Sequence, residues 1–356
     1  MPDFRSDTVT QPTPAMRTAM LEAPLGDDVF ADDPSVNALQ DHAAQLLGFE
    51  AALFAPSGTQ TNLIALWGHC QRGDEAIVGQ SWHTYRWEAG GMAVLGSIQP
   101  QPIETQPDGT LRLADIASAI KPDDPHFART RLVVLDNTTG GQVLPPTYIA
   151  EVAQLARSRG LGLHLDGARL FNAATANAAR HGTDVYDEAR SLCSHFDTAS
   201  LCLSKGLGAP VGSVVLGSRD FIHQARRTRK ILGGGMRQAG VLAAAGHYAL
   251  QHHVHRLADD HARLDQLGQA LTDASRSHSA LQGRIAVLPW QTNILFTDLH
   301  ADIAPAFTAW LAHHGVRVTS SLYGSNTRLR WVTHLDVSQS DVDAALDCIA
   351  RFKLPS

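Results

Sequence analysis

SLCLSKGLGAPVGSVVLG, at residues 200–217, consists of two short apolar runs joined by a glycine-rich loop that contains Lys205. Nearly unbroken apolar runs of this kind predict strands buried on both faces, as in a parallel sheet covered by helices. A lysine at the mouth of such a sheet is partly desolvated, which favours its neutral, nucleophilic form. Because an exposed loop lysine would give the same short motif, the surrounding motifs have to decide between the two interpretations.

Strands and helices alternate over the first two-thirds of the chain, which predicts an α/β sheet. The region from Met236 to Ala274 is rich in alanine and leucine, lacks proline and predicts two long helices. After Gly283, short strands flank two helices, as in a smaller α+β lobe. The predicted strands are 51–54, 76–78, 132–135, 161–165, 200–203 and 213–216 in the sheet, and IAVLP, TNILFT, VRVTS and RLRWVT in the lobe; the other predicted helices are 36–47, 60–69, 146–159, 220–232, 305–314 and one from residue 340.

Length and composition indicate a globular enzyme. The 356 residues suffice for two domains or for one large core with an appended lobe, and 44% of them are hydrophobic against 18% charged. A formal charge of −6 argues against non-specific nucleic-acid binding, and no signal peptide or transmembrane segment is found, so we expect a cytoplasmic protein. The scattered cysteines predict buried thiols and no disulfide framework or zinc site: Cys70, Cys193, Cys202 and Cys348.

A second motif, LGLHLDGARLFNA at residues 161–173, places Asp166 at a predicted strand end and Arg169 three residues later. A carboxylate in this position can bond a ring nitrogen and keep it protonated, and a protonated pyridine is the electron sink that pyridoxal-phosphate (PLP) chemistry requires. Equally, Asp166 can cap the following helix with Arg169 as its ion-pair partner. The motif alone favours neither interpretation.

A third motif, AALFAPSGTQTNLIALWGHC at residues 51–70, predicts a strand, a turn and a helix that starts near Thr59. The free N–H groups and the positive dipole end of that helix would face the turn, where Gly58 and Thr59 could hold a phosphate. Serine, glycine and threonine also begin ordinary helices, so this signal is weak by itself.

In GQSWHTYRWEAGG, residues 79–91, His83 lies among Trp82, Tyr85 and Trp87. Flat side chains of this kind can stack on a flat cofactor ring or on an aryl group of a substrate. The alternative is that the histidine and the tryptophans pack in the core or at a subunit contact.

Cations occur in two further motifs. Lys230 and Arg237 lie on either side of a triple glycine, which suggests close backbone approach or an interface. Arg328 and Arg330 share one face of a predicted strand, from which a guanidinium could grip a carboxylate with two hydrogen bonds. An edge strand decorated with charge is the alternative and remains open for Arg328.

Together these motifs resemble the low-specificity threonine aldolases, a family of PLP enzymes with the aspartate-aminotransferase-like fold (fold type I). The resemblance runs from residue 4 to residue 336 and is highly specific in combination. It implies a large α/β domain with a mostly parallel sheet and a small α+β C-terminal domain. The motifs that carry it are FRSDTVTQPT, LGDDVFADDPSVNALQ, SGTQTN, VGQSWHTYRWEAGG, LHLDGARLFNA, CLSKGLGAPVGS, GGGMRQAG and RWVTHLD.

The resemblance also implies a domain organisation and an assembly. Residues 1–30 would be an N-terminal segment that contributes to the active site, 31–250 the large PLP-binding domain and 251–356 the small domain. The protein would be a homo-oligomer, expected to be a homotetramer, in which Lys230 and Arg237 approach the cofactor across a subunit contact. We expect a small amino acid as substrate and no nucleic acid, membrane or metal as partner.

Individual roles follow from the resemblance. The cofactor would be held by Lys205 covalently, by Asp166 at the ring nitrogen, by His83 stacked on the ring, by Gly58, Thr59 and Ser204 at the phosphate, and by Arg169. The substrate carboxylate would be bound by Ser6, Arg169 and Arg330, the β-substituent would meet Tyr85 and Trp87, and His126 in DDPHFART would lie near the substrate hydroxyl.

Two departures from the family pattern concern the pocket. The family usually reads ENTHNG where this chain has DNTTGG at residues 136–141, so a histidine is missing at Thr139. The family also often has smaller or simpler aromatic residues where this chain has Trp82 and Trp87. Both changes leave the cofactor residues intact and bear on the β-substituent of the substrate.

The expected reaction is a retro-aldol cleavage of a β-hydroxy-α-amino acid, with His83 or His126, directly or through water, as the base that takes the hydroxyl proton. The rivals are a β-eliminating lyase or a transaminase on the same fold, a PLP-binding regulator and a nucleotide-binding oxidoreductase. We expect no regulator, because the enzyme-like motifs begin at residue 4 and leave no room for a DNA-binding module. No GxGxxG follows the first strand, which argues against the oxidoreductase.

Overall fold

The computed structural model describes residues 1–320 and 325–354. They form two compact units: a central unit, Pro12–Val254, and a terminal unit, which combines Met1–Gln11 with the chain from His255 onward. The four cysteines are buried free thiols, as predicted. Among the described residues, no helix is long and apolar enough to cross a membrane.

The central unit contains a seven-stranded sheet in the order β1-β7-β6-β5-β4-β2-β3. Only β7 runs against its neighbours, and all other adjacent strands are parallel. The strands are β1 (Ala51–Ala55), β2 (Asp74–Gly79), β3 (Gln99–Ile103), β4 (Arg129–Asp136), β5 (Gly162–Gly167), β6 (Thr198–Cys202) and β7 (Ser213–Gly217). The six strands predicted for the sheet are confirmed, because their apolar runs are buried on both faces.

Helices connect these strands, and their ends follow local capping chemistry. Asp33 caps α2 through the N–H groups of Ser35 and Val36, and Gly48 ends it in the left-handed conformation that glycine adopts easily. The helices of the central unit are α1 (Pro14–Leu21), α2 (Pro34–Leu47), α3 (Gly58–His69), α4 (His83–Arg86), α5 (Gly91–Val94), α6 (Leu113–Ala119), α7 (Pro146–Ser158), α8 (Leu170–His181), α9 (Val185–Cys193), α10 (Arg219–Ile231) and α11 (Gly240–His252).

The terminal unit packs α12 (Leu257–Ser277), α13 (Ala304–His313) and α14 (Gln339–Ala350) with an antiparallel sheet of β8 (Ile285–Val287), β9 (Ile294–Leu299) and β10 (Arg328–Val332). Trp331 and Phe307 lie in its core. The strand predicted at VRVTS is wrong. Arg317 and Thr319 form only isolated bridges, to Asp3 and Arg330, because the N-terminal segment takes up the backbone hydrogen bonds of Arg317.

Candidate active site

Three neighbouring parallel strands, β4, β5 and β6, end at the same edge of the central sheet. Asp136 is the last residue of β4 and pairs with Asp166 of β5, and Asp166 pairs in turn with Ser200 of β6. Lys205 follows the end of β6 and is half-buried. The carboxyl ends of parallel strands are the usual ligand-binding edge of an α/β sheet, so two carboxyl groups and an amine converge there.

Backbone hydrogen bonds fix the loop that carries Ser204 and Lys205. The N–H of Gly208 donates to the carbonyl of Lys205 at 2.8 Å, and the N–H of Ala209 donates to the carbonyl of Leu203 at 3.0 Å. A cavity of about 10 Å³, which is water-sized, is lined by Lys205 and Arg169. The loops after β5 and β6 are therefore neighbours, and the structure brings these two predicted site residues together.

Asp166 belongs to a buried network of hydrogen bonds. Its Oδ2 accepts from Nδ2 of Asn62 at 2.8 Å, and its Oδ1 accepts from the N–H of Ala168 at 3.1 Å. Asn62 also donates to Oε1 of Glu88 at 2.8 Å, and the same oxygen lies 2.8 Å from Nδ1 of His83. Polar atoms of His83, Glu88 and Asp166 all lie within 4.8 Å of one another. Hydrogen bonds through Glu88 and Asn62 thus link His83 to Asp166.

Burial and charge act against each other in this network. Burial lowers the pKa of His83, but the hydrogen bond to Glu88 and the charges of Asp166 and Glu88 outweigh burial and the opposing charge of Lys205, so the pKa is raised. The pKa of Glu88 is also raised, mainly by burial. The raised pKa makes His83 a stronger base than an ordinary histidine, and its side chain stays 39% exposed.

Asp136 is a buried site residue that sequence reasoning did not single out. Burial and the neighbouring charge of Asp166 raise its pKa to about 8, against the opposing charges of Lys205 and His83. The environment of Asp136 therefore favours the protonated form of its carboxyl group. Its Oδ2 lies 3.4 Å from the backbone N–H of His83, so it also contacts the start of α4.

The start of α3 matches the predicted strand–turn–helix. Ser57 caps the helix by accepting from the N–H of Gln60, which leaves Gly58 and Thr59 in the first turn. The N–H groups of a first turn lie ahead of the helical hydrogen-bond ladder and point towards any bound anion. A Cβ atom on Gly58 would lie 3.4 Å from Oγ of Ser213, so the side chain of Ser213 borders this first turn.

The aromatic residues around His83 have different surroundings. Trp82 is 1% exposed, and its ring lies against Gly79, which fits the alternative that it packs in the core. Trp87 is 45% exposed and has the guanidinium of Arg86 5.4 Å from its ring centre, and Tyr85 is also exposed. Tyr85 and Trp87 are thus accessible on the surface of the central unit.

Lys230 lines an open cavity of about 410 Å³ at the end of α10, together with His223 and Arg226 among others. A Cβ atom on Gly235 would lie 3.0 Å from Cδ of Lys230, a tight contact that the flexible lysine side chain would relieve by shifting. Arg237 is exposed, and its Nη1 lies 3.4 Å from Oδ2 of Asp27.

His126 is not part of the buried network that the described contacts define. Its side chain is 85% exposed and pairs locally with Asp124 at 2.7 Å. The role of His126 near the substrate hydroxyl stays a prediction.

In the terminal unit, Ser6 and Arg330 are neighbours. Nη2 of Arg330, on β10, donates to the carbonyl of Arg5 at 2.9 Å, directly before Ser6. Ser6 caps the short 3-10 helix Asp7–Val9 by accepting from the N–H of Thr8. Arg328 instead pairs with Asp298 through two hydrogen bonds of 2.6 Å, which fits the charged-strand alternative.

Comparison with known proteins places this geometry in a family. The family model described as beta-eliminating lyase matches residues 3–285. The low specificity L-threonine aldolase of Escherichia coli (strain K12) is 49% identical, covering 96% of this chain and 96% of its own length. The chain belongs to the threonine aldolase family. Alanine racemase TOXG of Cochliobolus carbonum is also similar, with 36% identity over 84% of this chain and 75% of its own.

Solved structures agree on the fold of the threonine aldolase family. A Leishmania major threonine aldolase superposes with a TM-score of 0.81 at 21% identity, covering 99% of each chain. The predicted α/β fold of type I is therefore confirmed. Threonine aldolases and β-eliminating lyases are PLP-dependent enzymes, which agrees with a lysine and a carboxylate at adjacent strand ends.

Proposed function

We propose that this chain is a PLP-dependent lyase that splits L-threonine, L-allo-threonine and related β-hydroxy-α-amino acids, L-phenylserine included, into glycine and an aldehyde. The observation that carries the proposal is the convergence of Lys205 and Asp166 at adjacent strand ends. The names of the relatives support threonine as a substrate.

The donor set at the sheet edge fits PLP. The amine of Lys205 suits the aldehyde of PLP, the carboxylate of Asp166 suits a protonated ring nitrogen, and the first turn of α3 suits a phosphate. When bound, PLP supplies a conjugated ring that accepts the electron pair of a broken bond at Cα. The proposed cofactor residues are Lys205, Asp166, His83, Gly58, Thr59, Ser204, Arg169, Lys230 and Arg237.

Substrate binding and proton transfer are assigned to polar side chains. We assign the substrate carboxylate to Ser6, Arg169 and Arg330, since guanidinium groups bind carboxylates through charge-assisted hydrogen bonds. Holding the carboxylate fixes the rotation of the substrate and thereby selects the bond at Cα that breaks. His83, or alternatively His126, takes the proton of the β-hydroxyl group.

We further propose a cytoplasmic homotetramer with active sites completed by neighbouring subunits. In each subunit, residues 1–30 would contribute to the site, 31–250 would bind PLP and 251–356 would form the small domain. Free thiols suit a reducing compartment. Phe30 and Ile231 are exposed and follow the cavity-lining Val29 and Lys230 in the chain, which suits a subunit contact. Hybrids of a Lys205→Ala subunit and an Arg237→Ala subunit should regain activity, whereas a monomer by light scattering would contradict the assembly.

Product analysis distinguishes this function from its rivals. An aldolase releases glycine with acetaldehyde from threonine and glycine with benzaldehyde from phenylserine. A β-eliminating lyase would instead give 2-oxobutyrate and ammonia from threonine, and a racemase, which the similarity to TOXG favours as second candidate, would convert L-alanine to D-alanine. Absence of glycine from every β-hydroxy substrate would overturn the proposal.

The cofactor is tested at Lys205. The holoenzyme should have a visible absorbance band that borohydride fixes to Lys205, and Lys205→Ala should lose the band and the activity with its melting temperature retained. Normal absorbance and turnover in that variant would contradict the assignment.

A further inference from the structure

Asn62 is a buried amide on α3 that joins the two carboxylates next to His83. Its Nδ2 group donates to Asp166 and to Glu88, each at 2.8 Å, and its Oδ1 lies 3.3 Å from Nε2 of His164. Carboxylates only accept, so the amino end of Asn62 must face them and its oxygen must accept. It follows that Nε2 of His164 carries a hydrogen.

This orientation extends along a row of buried groups. Burial lowers the pKa of His164 to about 3, so the ring is neutral and its Nδ1 can only accept. The hydroxyl of Thr198 therefore donates to Nδ1 of His164 at 2.9 Å, and its oxygen accepts from Nε2 of His69 at 2.8 Å. These contacts fit one consistent set of donors, and turning Asn62 over would break its bonds to both carboxylates.

Glu88 transmits this fixed arrangement to His83. The same oxygen, Oε1, accepts from Asn62 and lies 2.8 Å from Nδ1 of His83. The Nδ1 hydrogen of His83 therefore points at a carboxylate that cannot rotate without losing Asn62. Because the ring of His83 is still 39% exposed, Nε2 is the nitrogen that can meet a substrate.

We propose that Glu88 is a positioning residue of the reaction: it holds the hydrogen on Nδ1 of His83, so that Nε2 is the atom that exchanges the substrate proton, and Asn62 holds Glu88 in place against Asp166. The proposal deepens the proposed function, which assigns His83 to proton transfer. It differs from a merely structural role because it links the charge of Glu88 to the titration of His83.

The variant Glu88→Gln separates charge from shape. Glutamine keeps an Oε1 that can accept from both neighbours, but it removes the negative charge. The other groups that act on His83 are unchanged: Asp166 from β5, Lys205 from the loop after β6, and Asp136 at the end of β4. A change in the titration of His83 then reports Glu88 alone.

The matched control is Glu188→Gln, because His181 and Glu188 form the same Nδ1–Oε1 contact, at 3.0 Å, outside the site. The measurement is deuterium exchange at Cε1 of each histidine in the holoenzyme, read by mass spectrometry across pH, which gives the pKa of each ring. We expect a His83 pKa above the ordinary value of about 6.5 in the wild type and a fall of roughly one to three pH units in E88Q. In E188Q the pKa of His83 should stay at its wild-type value.

Kinetics provide the second readout. In E88Q, kcat should fall, at most by the roughly 10²- to 10⁴-fold that a positioned base contributes, with KM little changed and the pH profile displaced in step with His83. An unchanged His83 pKa in E88Q, or a lowered pKa with wild-type kcat and pH profile, would overturn the proposal. A wild-type His83 pKa at or below the ordinary value would also overturn it, even if E88Q failed to fold. Failure of the proposed function would show separately, as a wild-type enzyme that yields no glycine.

Discussion

The substitution Gly167→Ala tests the geometry that joins Asp166 to Lys205. Gly167 is the last residue of β5 and pairs with Leu201 of β6. A Cβ atom on Gly167 would lie 2.6 Å from the carbonyl oxygen of Ser200. That oxygen belongs to the backbone of β6 and cannot rotate away, so the end of β5 or the end of β6 must move.

The expected cost is that of overpacking, roughly 1–3 kcal/mol. At about 2–4 °C per kcal/mol for a unit of this size, the melting temperature should fall by roughly 2–12 °C. PLP affinity should fall as well, because the displaced strand ends carry Asp166 and lead to Lys205. Differential scanning fluorimetry and a PLP titration followed by visible absorbance measure both effects.

The matched control for this variant is Gly91→Ala. A Cβ atom on Gly91 would lie 3.9 Å from Cδ2 of Leu63, which is an ordinary contact, so stability and PLP affinity should stay near wild type. A Gly167→Ala protein with the melting temperature and PLP affinity of the wild type would refute the reasoning.

Three further changes test other parts of the site. Arg330→Ala should weaken amino-acid binding by about 1.5–3 kcal/mol, seen in KM, and leave PLP affinity intact; lost PLP with an unchanged KM would contradict it. The pKa of Asp136 is raised to about 8, so in PLP-free protein the folded state binds this proton more tightly than the unfolded state does. The contribution of Asp136 to the free energy of unfolding therefore falls as the pH rises from about 4 to about 8. Urea melts should therefore show Asp136→Asn gaining stability relative to wild type across that window and a constant difference above it; a difference independent of pH would disprove the assignment. Trp87→Ala should change the phenylserine-to-threonine ratio of kcat/KM by about 2- to 12-fold if an aryl ring stacks there, and an unchanged ratio would remove Trp87 from the pocket.

The strands of the central sheet could be predicted because burial on both faces leaves a continuous apolar run, as in β6 and β7. β3 was missed because its sequence, QPQPI, contains two prolines and few apolar residues. Proline is tolerated there because β3 is an edge strand, which pairs only with β2. Pairing at an edge depends on the neighbouring strand and does not require a continuous apolar run, so the sequence of β3 does not indicate a strand.

Site residues also divide into those with a signal in the local sequence and those whose role depends on neighbouring elements. Lys205 and Asp166 could be recognised because each follows or ends an apolar run. Asn62, Glu88 and Asp136 could not, because their roles depend on which strands and helices become neighbours, such as the pairing of Asp136 with Asp166. One local signal did exist: Asn62 is a polar residue at the start of the apolar run LIALW on α3, and it is buried.

The departures from the threonine aldolase pattern at residues 136–141 begin at Asp136, which contacts the backbone of His83. Oδ2 of Asp136 lies 3.4 Å from the N–H of His83, and the hydroxyl of Thr139 donates to the carbonyl of Asp136 at 2.8 Å, within its own loop. The residues proposed to hold PLP keep the family pattern, while Asp136 contacts the start of α4, which carries His83, the residue proposed to transfer the proton. Since a hydroxyl bonded to its own backbone cannot replace an imidazole in acid–base chemistry, the proton step should depend more heavily on His83 here. Differences between this enzyme and its relatives should accordingly appear in the pH profile and in the preference for the β-substituent, and cofactor affinity should differ least.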